Sequence, residues 1–110
     1  MSTNGSAYVV VQTSTGSRAE ADTIATSLVE ERLAACVQVT PGQSVYCWQG
    51  AVERADEFFL AIKTSAAMAD KVVEAIGRLH SYDCPEAVVL EVQGGSPAYL
   101  AWLSEQVRQE

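Results

Sequence analysis

Apolar and polar positions change period several times along the chain. Tyr8 to Thr13 reads YVVVQT, a β-branched apolar run followed by Ser, Thr and Gly, which predicts a buried strand ending in a turn. Beyond the turn, Ala21, Ile24, Ala25, Leu28 and Leu33 recur near helical spacing, and Glu30, Glu31 and Arg32 form a charged last turn. Ser17 with Glu20 three residues on reads as a capping box, with the Glu20 carboxylate reaching back to the Ser17 amide. From Ala35 to Val39 the period falls to two, and the extended pattern resumes at Ser44 to Trp48 after Pro41-Gly42. Pro removes a ladder donor, so a bulge or a bent edge is expected there.

Gln49-Gly50 supplies a hairpin turn, and the chain returns through Ala51 to Thr64. On that return Phe58, Leu60 and Ile62 share one face, with Glu57, Phe59, Ala61 and Lys63 opposite. Ser65 is placed to cap a second helix that carries Met68, Val72, Ile76 and Leu79, and Pro85 forbids its continuation. Ala87 to Val92 is a further strand. Gly94-Gly95 breaks it, and Ser96-Pro97 opens a final helix.

The order is β-α-β-β-α-β with a short C-terminal helix, which is the ferredoxin-like α+β arrangement. The 110 residues suit one domain, 1–110, with residues 1–6 expected to be flexible. The hairpin between the second and third strands is far longer than a usual strand pair. Tipped with Tyr46 and Trp48, it would leave apolar surface and ladder edges in water unless another subunit covered them. An obligate oligomer is expected, with Tyr46, Trp48, Tyr99 and Trp102 as packing and interface residues.

Charge narrows the partners. Seven Lys and Arg stand against fourteen Asp and Glu, a formal charge of −7. The basic residues are scattered singly, which excludes a nucleic-acid binder and argues against an anionic membrane surface. The polar first residues do not resemble a signal peptide and no apolar run is long enough to span a bilayer, so the expected compartment is the cytoplasm. Three cysteines, Cys36, Cys47 and Cys84, fit reduced thiols. None forms a C-x-x-C pair, so a zinc site within one chain is not expected, whereas one shared between chains is possible.

The segment His80 to Glu86, HSYDCPE, gathers an imidazole, a phenol, two carboxylates and a thiol in one helix-to-strand loop. Cys36 follows two alanines and reads as a packed thiol. Lys63 sits in a strand on the same face as Glu57 and suits either an intersubunit ion pair or an anion in a cleft. There is no Ser-His-Asp order and no glycine-rich phosphate loop, and a catalytic role is not expected.

These segments together resemble the divalent-cation-tolerance (CutA) family. The resemblance rests on LVEERLAACVQV from Leu28, Ser44-x-Tyr46-x-Trp48-x-Gly50, the Glu57-to-Thr64 strand, HSYDCPE, and Tyr99-Leu100-x-Trp102. It implies a tight homotrimer, a link to copper and other divalent cations, and kinship with PII signalling proteins, whose intersubunit clefts bind small ligands. No cofactor is required on this reading, though Cu²⁺ or another divalent cation is implied. On the metal reading the ligand candidates are Cys36, His80, Asp83, Cys84 and Glu86, with His80 and a thiol suited to copper. Trp48, Glu57, Lys63 and Tyr82 are the candidates for a ligand cleft. The chain departs from the family pattern at Ser81, where Pro is usual, at Asp83, commonly Glu, and in the extra thiol of Cys84. Three functions follow as expectations: a metal-homeostasis trimer, a PII-like regulator of a small metabolite or nucleotide, or a scaffold for a partner protein.

Overall fold

The apolar run at the start of the chain becomes β1, Tyr8–Thr15, in a computed structural model that describes residues 6–109. Residues 1–5, most of the segment expected to be flexible, lie outside the described residues. The Ser6 hydroxyl donates to the Val92 carbonyl. Val9, Val11, Thr13 and Thr15 point to one side of β1 and are buried. Helix α1, Arg18–Glu30, follows, with Ile24 and Leu28 fully buried on the stripe that its periodicity marks.

The end of α1 explains how the chain turns into the next strand. The Leu33 N–H bonds the Leu28 carbonyl at 2.9 Å and the Arg32 N–H bonds that of Val29 at 3.0 Å, a Schellman closure. Arg32 occupies the left-handed position, φ 60°, which glycine usually takes. Its guanidinium reaches the Glu105 and Gln106 carbonyls at 2.7 and 3.0 Å, so one residue ends α1 and ties down the last helix. Leu33 is buried, but just beyond the helix rather than on it.

Strands β2, Cys36–Trp48, and β3, Ala51–Ser65, form the long hairpin. Gln49 and Gly50 both have positive φ, 51° and 83°, the two-residue turn whose twist matches its strands. Pairing runs without interruption from Cys36 opposite Lys63 to Trp48 opposite Ala51, so Pro41 introduces no bulge. Strand β2 is the sheet edge, where a missing N–H is tolerated on the side away from β3. A side chain at Gly42 would meet the Phe59 ring, since an added Cβ falls 2.5 Å from Phe59 Cε2.

Ser65 ends β3 instead of capping a helix. A 3₁₀ turn, Ala66–Met68, intervenes, and α2 begins at Ala69 and runs to Leu79. Val72, Ala75 and Ile76 face inward from α2. Strand β4 is only Val88–Glu91, and α3, Pro97–Gln106, starts from Ser96, whose hydroxyl accepts the Tyr99 N–H at 3.4 Å.

The sheet order is β2-β3-β1-β4 with every pairing antiparallel, the ferredoxin-like topology. One core joins the inner faces of α1 and α2 to Val9, Val11, Leu60 and Ile62 of the sheet. Much apolar surface stays outside it. Val88, Val89 and Leu90 on edge strand β4 and Val45, Tyr46, Trp48 and Val52 near the hairpin tip are exposed.

Candidate functional site

His80, the residue that ends α2, organises the loop after it. Its Nε2 lies 2.7 Å from the Ser14 carbonyl oxygen, which can only accept, so that nitrogen carries the hydrogen. Its Nδ1 then accepts the Tyr82 N–H at 3.1 Å. Both ring nitrogens are therefore engaged. The side chain is fully shielded from solvent.

Glu20 meets the same loop from α1. The Ser17 hydroxyl does accept the Glu20 N–H, at 3.1 Å. The carboxylate, however, does not complete the box at Ser17. It accepts the Ser81 N–H at 2.6 Å and the Ser81 hydroxyl at 3.2 Å, and lies 3.6 Å from His80 Nδ1. Ser81 thus brings a hydroxyl and an N–H donor, and Glu20 uses both. Sequence reasoning assigned Glu20 to the helix end alone; its distance of 61 positions from Ser81 left no local signal.

Held this way, Tyr82 forms one wall of a groove of about 600 Å³ on the sheet face opposite the helices. Glu57 lines it and accepts hydrogen bonds from the Ser44 hydroxyl and, at 3.4 Å, from Ser14 Oγ. Tyr46 and Trp48 of the hairpin and Cys84 and Glu86 of the loop complete the rim. The Tyr82 ring lies 4.5 Å from the His80 ring, centre to centre. A Cβ at Gly16 would fall 3.1 Å from the Tyr82 oxygen, so glycine there leaves room for the phenol. Partial burial pushes the Tyr82 phenol above the usual tyrosine value of 10.0, and the negative charges of Glu57 and Glu20, with the Tyr46 phenol, add to that.

The residues singled out from sequence divide into two groups. Trp48, Glu57, Tyr82, Cys84 and Glu86 border the groove, and His80 supports it from behind. Asp83 is exposed on the same loop. Cys36 and Lys63 lie elsewhere, directly opposite each other across β2 and β3. The six-residue offset between Lys63 and Glu57 spans about 20 Å of strand. The Lys63 ammonium instead sits 5.4 Å from the centre of the Tyr99 ring. It borders a smaller cavity of about 160 Å³ with Gly94, Gly95 and Leu100. Among the described residues of one chain, no three His, Cys, Asp or Glu side chains gather closely enough to hold a metal ion. Tyr99 and Trp102 stack at 5.5 Å on α3, and both are exposed, as are Tyr46 and Trp48.

No helix among the described residues is long and apolar enough to cross a membrane. Residues 9–106 match the model of the CutA1 divalent ion tolerance protein family. The divalent-cation tolerance protein CutA of Thermus thermophilus is 48% identical over 86 residues, covering 77% of this chain and 84% of that protein. Chloroplastic CutA of Arabidopsis thaliana is 40% identical over 101 residues, 91% of this chain but 56% of its own length. The chain thus spans little more than half of that plant relative. Among solved structures, Thermus thermophilus CutA1 superposes with a TM-score of 0.88 at 43% identity, covering 92% of this chain and 99% of that one. CutA1 from Oryza sativa gives 0.91 at 36% identity, covering 96% and 98%. An Archaeoglobus fulgidus structure, described as the periplasmic divalent cation tolerance protein CutA, gives 0.89 at 32% identity, covering 92% and 99%. With a family match that runs from β1 to the end of α3, and with the same fold in each of these solved structures, the chain belongs to the CutA1 divalent ion tolerance family.

Proposed function

We propose that this chain acts in divalent-cation tolerance as a non-catalytic homotrimer that binds a divalent metal such as copper, with ligands completed between subunits. The observation that carries the reading is the placement of Cys84, Glu86 and Glu57 around one groove beside an exposed apolar hairpin. A thiol with carboxylates suits a borderline or soft divalent ion. One chain alone offers no three-ligand cluster among its described residues, so a neighbouring subunit must add donors. Covering Tyr46, Trp48, Val52 and the apolar β4 edge would remove surface that is costly to leave in water. His80, with both nitrogens engaged, would have to give up a hydrogen bond before it could bind metal. A cytoplasmic location belongs to the same reading, supported by three free thiols.

Sedimentation equilibrium, followed by calorimetric titration with Cu²⁺ and Zn²⁺, tests this. A trimer whose copper affinity falls on Cys84→Ser, Glu86→Gln or His80→Ala supports it. A monomer, or unchanged stoichiometry and affinity in every variant, overturns it. Loss of binding must follow named residues, because an acidic surface concentrates cations without any site.

A second reading, a PII-like regulator that binds a small metabolite in the groove, draws on its volume. About 600 Å³ lies within the usual range for small-molecule sites. Thermal-shift screening against a metabolite library is its direct test.

A further inference from the structure

We infer that Glu20, on α1, is a positioning residue for the divalent-metal site: its carboxylate anchors the loop that carries Cys84 and Glu86, and metal affinity depends on that anchor. The inference rests on the metal reading of the groove and adds to it a residue outside the groove's lining.

The loop has little of its own to fix its path. Residues 81–86 lie between the end of α2 and the start of β4, and among the described residues they make no backbone-to-backbone hydrogen bond. Bonds to side chains hold the segment instead. The Ser81 N–H and hydroxyl donate to the two oxygens of Glu20, at 2.6 and 3.2 Å, and the Tyr82 N–H donates to His80 Nδ1 at 3.1 Å. Two of these three bonds end on one carboxylate. All of them close within the chain, so they hold whether or not a neighbouring subunit covers the hairpin.

The anchor and the ligands lie on opposite sides of the sheet. Glu20 belongs to the helix layer, whereas the groove bordered by Cys84 and Glu86 opens on the other face. The loop passes from one to the other around the end of β1, where His80 Nε2 meets the Ser14 carbonyl. Cys84 and Glu86 follow Ser81 by three and five residues, so the path of the chain at Ser81 decides where their donor atoms arrive. Metal sites tolerate only small displacements of their donors, and loosening the groups behind the ligands typically costs about tenfold or more in affinity. His80 holds the same loop from α2, but the bond from the Ser81 N–H to a carboxylate is the shorter contact and is charge-assisted.

The test uses the assembled full chain with its thiols reduced, and Co²⁺ alone as an optical divalent probe whose thiolate charge-transfer band reports a bound cysteine. Glu20→Ala is expected to weaken Co²⁺ about tenfold, to dim that band at equal metal and to speed hydrogen exchange at the Ser81 and Tyr82 amides. Glu20→Gln removes the charge but keeps an oxygen for the Ser81 N–H and an amide N–H for the Ser81 hydroxyl, so it should bind as the natural protein does. Ser81→Ala, a milder change that keeps the N–H bond alone, should fall between the two. Equal weakening by Glu20→Gln and Glu20→Ala would trace the effect to charge instead of position and overturns the inference. A band lost in Cys84→Ser but untouched by Glu20→Ala overturns it too, and leaves the metal reading standing. No band in the natural protein, or a band indifferent to Cys84→Ser, overturns the metal reading and the inference together.

Discussion

The imidazole of His80, at the end of α2, donates to the backbone carbonyl of Ser14 on β1 across 66 positions of sequence. With the Tyr82 N–H returned to its other nitrogen, this one side chain joins helix, sheet and groove wall. His80→Ala should cost about 1–3 kcal/mol, because it orphans a carbonyl and an N–H and empties a buried volume. His80→Phe keeps most of the volume and loses both bonds, so it separates the two contributions. Guanidinium denaturation at pH 7 measures each; costs below about 0.5 kcal/mol in both variants would contradict the role.

Arg32 offers a comparison between two substitutions. Arg32→Ala keeps a side chain at φ 60° and loses both guanidinium bonds, whereas Arg32→Gly loses the bonds but relieves the backbone. Arg32→Gly should therefore be the more stable of the two by about 1 kcal/mol. Equal melting temperatures would show that the left-handed position carries no strain.

Gly42 and Phe59 should behave as a coupled pair. Gly42→Ala places a methyl group 2.5 Å from the ring edge and should destabilise the hairpin by about 1–3 kcal/mol. Adding Phe59→Leu should recover part of that loss, and a double-mutant cycle measures the coupling. Strict additivity would mean that the backbone, not the ring, rejects the methyl.

Tyr82 should titrate above pH 10, as followed by ultraviolet absorbance of the phenolate. Glu57→Gln removes one of the raising charges and should lower the midpoint partway, since partial burial remains the larger cause. A phenol whose folded-state pKa is raised stabilises the fold fully below the unfolded value, and that contribution is lost as pH rises through the folded one. Stability should accordingly decline above pH 10 in the natural protein, and less so in Tyr82→Phe.

Local periodicity was enough to place most of the elements. The apolar run at Tyr8–Thr13, the alternation at Phe58–Ile62 and the helical stripe from Ala21 to Leu28 each mark an element with a buried face. The capping serines at 17 and 96 also act as expected. Two local signals misled. Ser65 has cap chemistry, but the 3₁₀ turn at Ala66–Met68 absorbs the change of direction before α2 begins. Glu20 fits a capping box, yet the His80 loop presents better donors than the Ser17 amide. Within HSYDCPE, composition alone could not separate His80, turned inward, from Cys84 and Glu86 at the groove. Grouping Lys63 with Glu57 rested on a shared strand face. Face is fixed by parity, whereas proximity is fixed by distance along the strand, and six residues put about 20 Å between the two within one chain, so a cleft holding both would need a second subunit.

The long hairpin also bears on the order in which the chain organises itself. Its two strands are neighbours in sequence, joined by a turn that Gln49 and Gly50 close in two residues, so its pairing requires little loop closure. Joining β1 to β4 instead brings Val9 against Glu91, almost the whole chain apart. The hypothesis that follows is a zipper formed early at the tip and a sheet completed last at β4. Pulse-labelled hydrogen exchange during refolding would find amides of β2 and β3 protected before those of β4, and simultaneous protection would argue for a single concerted closure.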